Sequence, residues 1–105
     1  STQPVDLASL VREVIQELES DAPDRDIHWQ IADLPEVTGD RAMFHVALVN
    51  LVANAVKFTR PRKHAEIEIG YQQGQGEVVV FVHNNGVGFD MRHAGKLFGI
   101  FRISS

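Results

Sequence analysis

His45-Val46-Ala47-Leu48-Val49-Asn50-Leu51-Val52-Ala53-Asn54-Ala55-Val56-Lys57-Phe58-Thr59 is the stretch on which the reading of this chain turns. Almost everything in it is aliphatic except a few polar residues. At about 100° per residue Asn50, Asn54 and Lys57 fall on one helix face, because offsets of four and seven return to nearly the same azimuth. A helix apolar on most sides is normally sunk in a core, and two amides plus an ammonium are costly there unless something satisfies them. From this stretch alone two readings stay open: a ligand meets the stripe, or the stripe is an edge turned to solvent or neighbouring backbone.

Working outward, Asp40 is placed to cap this helix, which is predicted over 41–58. Before it, Val37-Thr38-Gly39 forms a brief strand and Leu34-Pro35-Glu36 turns the chain. Ile27, Trp29 and Ile31 alternate with His28, Gln30 and Ala32, the period-two signal of a half-buried strand. Further upstream, Leu10, Val11, Val14, Ile15 and Leu18 recur at spacings of three and four among charged residues, which predicts an amphipathic helix ending near Ser20. Asp6 caps it, and Pro4-Val5-Asp6-Leu7 is a short edge strand or lead-in. After the central helix, 59–64 is a loop, Glu66-Ile67-Glu68-Ile69-Gly70-Tyr71 a strand, 72–77 a flexible turn, and Val78-Val79-Val80-Phe81-Val82 a strand covered on both faces or nearly so. The fold expected is α+β: a two-layer α/β sandwich, with two helices covering one face of a mixed, mostly antiparallel sheet.

A chain of 105 residues is one small domain. With 44% hydrophobic residues it can build a modest core, and a net charge of −4 gives no broad attraction to nucleic acid or anionic membrane. There is no cysteine, so disulfides and thiolate metal sites are excluded. No apolar run approaches the roughly 18 residues of a membrane span and no signal-peptide pattern opens the chain, which reads as cytoplasmic. Arg60, Arg62 and Lys63, flanking Pro61, read as a solvated loop. His28, His45, His64, His83 and His93 read as ordinary surface or strand histidines, and no carboxylate shares the spacing of His28 and His45 to suggest a metal cluster.

Two later segments carry chemistry. His83-Asn84-Asn85-Gly86-Val87-Gly88-Phe89-Asp90 follows directly on a strand, and its paired glycines permit positive φ and close approach of a ligand to the main chain. Asn-Gly is also a common turn dipeptide, so a bare turn stays open. The third spaced glycine of the dinucleotide fingerprint is absent. In Lys96-Leu97-Phe98-Gly99-Ile100-Phe101, Phe98 and Phe101 are three apart and are expected to pin a short helix or lid to the body.

Taken together and in this order, these segments resemble the catalytic ATP-binding domain of bacterial sensor histidine kinases, in the superfamily shared with gyrase, Hsp90 and MutL (the Bergerat, or HATPase, fold). Asn50 to Thr59 looks like the N box, Asn85-Gly86-Val87-Gly88-Phe89 like the G1 box, and Lys96 to Phe101 like the F box. The coupling of Gly-Phe-Asp-Met to Lys-Leu-Phe is similar to the kinase modules of bacterial phytochromes. The resemblance implies nucleotide binding by Asn50, Asn54, Lys57, Asn84, Gly86, Gly88, Phe98 and Phe101, with Asn54 helping to coordinate Mg2+ and Lys57 meeting phosphate. It implies ATP and Mg2+ as cofactors and a two-component signalling role: an ATP-dependent protein-histidine kinase that phosphorylates a histidine on a separate dimerisation domain, with a response regulator downstream. Asn50 stands where ATP-hydrolysing relatives carry a glutamate that activates water. An amide is no general base, so this position favours kinase over ATPase or an anti-sigma-type kinase.

Several departures bear on activity. At Asn84 the family has an aspartate that accepts a hydrogen bond from the adenine amine; the Asn84 carbonyl still accepts, without the charge that strengthens the bond. Arg102 follows Phe101 directly, where the family places a residue between them. Residues 1–105 are expected to be the kinase-like domain without its second glycine-rich box and its final helix and strand, a piece cut from a longer protein, and impaired or inactive in isolation. The alternative expectation is a degenerate domain serving in domain docking or dimer regulation.

Overall fold

The computed structural model describes residues 2–86 and 97–104, the side chains of Leu97 and Phe98 excepted. The elements run β1 (Gln3–Asp6), α1 (Leu7–Asp21), β2 (Ile27–Ile31), β3 (Glu36–Gly39), α2 (Arg41–Phe58), β4 (Ala65–Gly74), β5 (Glu77–Asn84) and β6 (Leu97–Ser104). β2-β4-β5-β6 form one sheet and β1-β3 a separate antiparallel pair. β2 runs parallel to β4, while the β4–β5 and β5–β6 pairs are antiparallel. The fold is thus the mixed α+β arrangement expected from the sequence.

Each helix begins where a side chain satisfies its first free N–H groups. Asp6 Oδ1 accepts from Ser9 N at 3.3 Å, and Asp40 Oδ1 accepts from Ala42 N at 3.0 Å and Met43 N at 3.3 Å. The Met43 amide is the main cause that holds the Asp40 carboxyl below the usual aspartate range.

One core joins both helices to the sheet. α1 contributes Leu7, Leu10, Val11, Val14 and Ile15; β4 contributes Ile67 and Ile69, and β5 contributes Val78, Val80 and Val82. The central helix, however, is not sunk all round. Only Leu48, Val52 and Ala55 are buried, whereas Met43 is 68% and Val46 60% exposed. Phe44, Val49, Leu51 and Val56 pack against the core half-buried, while the flank bearing Met43 and Val46 is open.

Two local expectations change. The turn after β4 is tighter than 72–77, because the two strands pair up to Gly74 and Glu77. Only Gln75 (φ 52°) and Gly76 (φ 76°) turn the chain, both with the positive φ that a two-residue hairpin requires. The segment around Phe101 is neither helix nor lid but the edge strand β6, paired to β5 from Glu77↔Ser104 to His83↔Leu97 with a register slip at Val82/His83. On the sheet face away from the helices Gly70 lies under Phe81, whose ring would stand 2.4 Å from an added Cβ.

The Asp40 cap has a pH signature. A carboxyl lowered by folding contributes stability that is present above its unfolded pKa of about 3.9 and is lost as pH falls through the still lower folded value. Melting followed by circular dichroism should show Asp40→Ala less stable than the parent at pH 7. Asp40→Asn, an equally good neutral cap, should stay close to the parent at pH 7 and lose less than it does below about pH 4.

Candidate functional site

The polar stripe of α2 faces solvent: Asn50, Asn54 and Lys57 are all exposed. Of the three, Asn54 borders a crevice between α2 and the β5–β6 ladder too narrow to admit a water molecule, lined also by Leu51, Ala55, Phe58, Val82, Asn84 and Gly99. Asn50 and Lys57 share the open helix face without lining that crevice. Asn84 enters it because β5 alternates. Val78, Val80 and Val82 point inward, and the next inward position is Asn84, only 4% exposed. An amide thus occupies a place where the pattern supplies valine.

The Asn84 amide has a defined orientation. Gly86 N donates to Asn84 Oδ1 at 2.8 Å, an Asx turn that closes the end of the strand. Asn84 Nδ2 is buried with no hydrogen-bond partner among the described residues. Gly86 has no positive φ, contrary to its expected role as a left-handed turn residue. It is needed instead for closeness: an added Cβ would lie 2.7 Å from Phe58 O and 2.6 Å from Asn84 Oδ1. Gly88 lies outside the described residues, as does the Phe98 side chain. Phe101 does not line the crevice. It packs edge-on against Phe44 with centroids 5.4 Å apart, holding β6 to the first half of α2, while Leu51 sits against Gly99.

Around the far end of α2 lies a set of polar contacts that the sequence did not announce. Arg25, from the turn between α1 and β2, donates to Val56 O and to Thr59 Oγ1, both at 2.9 Å. Thr59, fully buried, donates in turn to Ala55 O at 2.8 Å. These groups satisfy carbonyls that a helix end leaves free. Asn85 binds β4 through Glu66 N to its Oδ1 at 2.9 Å and through its Nδ2 to His64 O at 3.2 Å. Arg62, expected to be merely solvated, donates to Asn85 O at 2.7 Å. The helix end, the 59–64 loop and the turn at 84–86 are therefore one interlocked unit.

A second cluster brings two carboxylates to His45, where the sequence spacing of His28 and His45 suggested no metal cluster. Glu13 and Glu17, one turn apart on α1, meet His45 of α2, with ligand-type atoms within 4.8 Å of one another. His45 Nε2 lies 2.8 Å from both Glu17 oxygens and 3.6 Å from Glu13 Oε2. Arg41 donates to Glu13 Oε1 at 3.0 Å and is the main cause of the lowered Glu13 pKa. The group bridges the two helices on an exposed flank, with its charges already opposed to one another.

Residues 39–105 match the family described as histidine kinase-, DNA gyrase B-, and HSP90-like ATPase. Over 93 residues the chain is 36% identical to the methanogenesis regulatory histidine kinase FilI of Methanothrix harundinacea (strain 6Ac), a match covering 88% of this chain and 10% of FilI. Among solved structures it is similar to the catalytic domain of histidine kinase ThkA, with a TM-score of 0.67 at 25% identity over 88% of this chain and 63% of that one. It is similar too to full-length ShkA in complex with AMPPNP, with a TM-score of 0.67 at 27% identity over 88% of this chain and 20% of that one. The chain spans roughly a tenth to a quarter of the length of FilI and the adaptive-response kinase SasA among the curated relatives it matches. No described helix is long and apolar enough to cross a membrane.

Arg25 is the test of the interlocked unit. Its replacement by Ala removes two charge-assisted donors from partly buried acceptors, and Arg25→Ala should lose about 1.5–3 kcal/mol of stability in urea unfolding. Hydrogen exchange should show the loss concentrated in the last turn of α2. Uniform exchange with unchanged stability would mean that the guanidinium contacts do not hold the helix end.

Proposed function

The chain belongs to the histidine kinase-, DNA gyrase B- and HSP90-like ATPase family, and on that footing we propose that it is the nucleotide-binding catalytic domain of a two-component sensor histidine kinase. It takes Mg2+ and ATP and gives the terminal phosphoryl group to a histidine on a separate dimerisation domain, in the cytoplasm and upstream of a response regulator. The observation that carries this reading is the crevice where Asn54 of α2 faces Asn84 of β5. An exposed helix amide beside a strand-end turn is the arrangement expected if the N-box and G1-box positions share one ligand.

The donor set at this crevice is compatible with a nucleotide-bound cation rather than a free one. Asn54 supplies one neutral amide oxygen, a hard donor suited to Mg2+, which keeps waters and phosphate oxygens for its other positions. The cation, when bound, neutralises phosphate charge. Lys57, one turn along the same exposed face, presents a point charge to phosphate. Asn50 presents an amide where proton abstraction from water needs a base, so Asn50 does not activate water. A phosphoryl group held here is kept for another acceptor.

A second reading, a degenerate domain used in docking or dimer regulation, draws on the size of the crevice. It has no room for a water molecule, against the few hundred Å³ usual for ligand sites, so nucleotide entry requires its walls to separate.

Calorimetric titration with Mg-ATP tests the reading. Asn54→Ala and Lys57→Ala should each weaken binding by about tenfold, the first only when Mg2+ is present and the second also without it. Equal affinity for both variants and the parent would remove the stripe from the site. No binding at millimolar nucleotide by any form would favour the degenerate reading.

A further inference from the structure

α1 and α2 each bring a pair of side chains, one turn apart, to the flank where the two helices meet. Glu13 and Glu17 come from α1, Arg41 and His45 from α2, and residues four apart on a helix share a face. Three of the four are metal-ligating types, and their donor atoms lie within 4.8 Å of one another. Solvent reaches the group, since the side chains of Glu13, Glu17 and His45 are 46%, 44% and 29% exposed.

One nitrogen is the focus of the group. His45 Nε2 stands 2.8 Å from each Glu17 oxygen and 3.6 Å from Glu13 Oε2. A proton on Nε2 therefore serves Glu17 and leaves Glu13 Oε2 beyond hydrogen-bond reach. Arg41 does not serve that oxygen either: it donates to Glu13 Oε1 at 3.0 Å, and so turns Oε2 toward His45. Two carboxylates meet one guanidinium here, and a cation set between Nε2, Glu17 and Glu13 Oε2 engages all three donors where a proton engages two. A hydrogen bond to the free oxygen of a ligating carboxylate, as Arg41 makes, is the outer support such ligands commonly have.

We propose that Glu13, Glu17 and His45 form a site for a divalent transition ion of the zinc type, which staples α1 to α2. One imidazole nitrogen and two carboxylate oxygens leave a fourth position to water, the open tetrahedral pattern of Zn2+. Mg2+ and Ca2+ prefer sets made wholly of oxygen and are poorly matched to the imidazole. Zn2+ bonds of about 2.0–2.2 Å place neighbouring donors about 3.3 Å apart, between the 2.8 Å and 3.6 Å found around Nε2. Drawing the carboxylates together from within 4.8 Å asks at most about 1.5 Å of movement at the ends of flexible side chains. The ion takes the place of the Nε2 proton, which is released to solvent. The site lies apart from the crevice at Asn54 and Asn84, and nothing in it requires a nucleotide.

Calorimetry of the 105-residue chain with ZnCl2, without nucleotide and at about pH 7.5 where histidine is largely neutral, should show binding that depends on this cluster. His45→Ala and Glu17→Gln should each weaken it by at least about tenfold. His64→Ala, which removes the exposed His64–Asp26 pair at 2.6 Å, should leave it unchanged. A second measurement needs no variant: paramagnetic Co2+ added to the 15N-labelled parent should broaden the amides of 13–17 and 41–45 and leave those beside His28, His64 and His83 sharp. Equal Zn2+ affinity in the parent and in His45→Ala overturns the site. So does broadening centred on the sheet histidines, or no binding at millimolar Zn2+.

Discussion

The contact of one narrow stripe of α2 with the valine ladder of β5 is what the remainder of the molecule depends on. Leu48, Val52 and Ala55 share a single buried cluster with Val78, Val80 and Val82, and a fully buried Leu or Val contributes about 1.5–3 kcal/mol. That contact fixes the rotation of the helix. With one stripe committed to the sheet, Asn50, Asn54 and Lys57 have nowhere to point but outward. The same commitment fixes the strand, and its alternation carries Asn84 inward at the place where the valines end. The crevice is thus a consequence of two periodicities meeting, 3.6 on the helix and 2 on the strand.

Apolar packing of this kind sets rotation well and sets the helix end poorly, because few large side chains reach it. Directional bonds take over there. Arg25 reaches across 31 positions to Val56 O, and Arg62 across 23 to Asn85 O. Such bonds have angular preferences that van der Waals contacts lack. They hold the last turn of α2 and the 84–86 turn at a fixed separation, close enough that Gly86 admits no side chain. A site whose two halves lie on different elements needs that kind of fixing.

What the sequence disclosed follows the range of the interactions. The bounds of α2, the two Asp caps and the alternating strands depend on neighbours within a few positions, and each could be read locally. β6 could not. A spacing of three between Phe98 and Phe101 suits a helix when taken alone, but the segment is claimed by β5, whose free edge offers a full row of partners. The meeting of His45 with Glu13 and Glu17 spans about thirty positions and depends on how two helices cross, as does the reach of Arg25. The open flank of α2 was obscured because aliphatic content reports what a residue is, not what covers it. Asn84 sits between these cases: its identity was plain, whereas the direction of its amide depends on one N–H two residues on.

The parallel pairing of β2 with β4 has a consequence for how the chain reaches this state. Ile27 pairs with Ala65, and the whole of β3 and α2 lies in the crossover between them. A loop of that length must close before the pairing yields any hydrogen bond, which makes it a late and slow event relative to the β4–β5 hairpin. The helix bearing Asn54 is therefore part of the closing loop itself. It acquires its final place only when the sheet edge zips up, so the exposed stripe of Asn50, Asn54 and Lys57 is set in place together with the β2–β4 pairing.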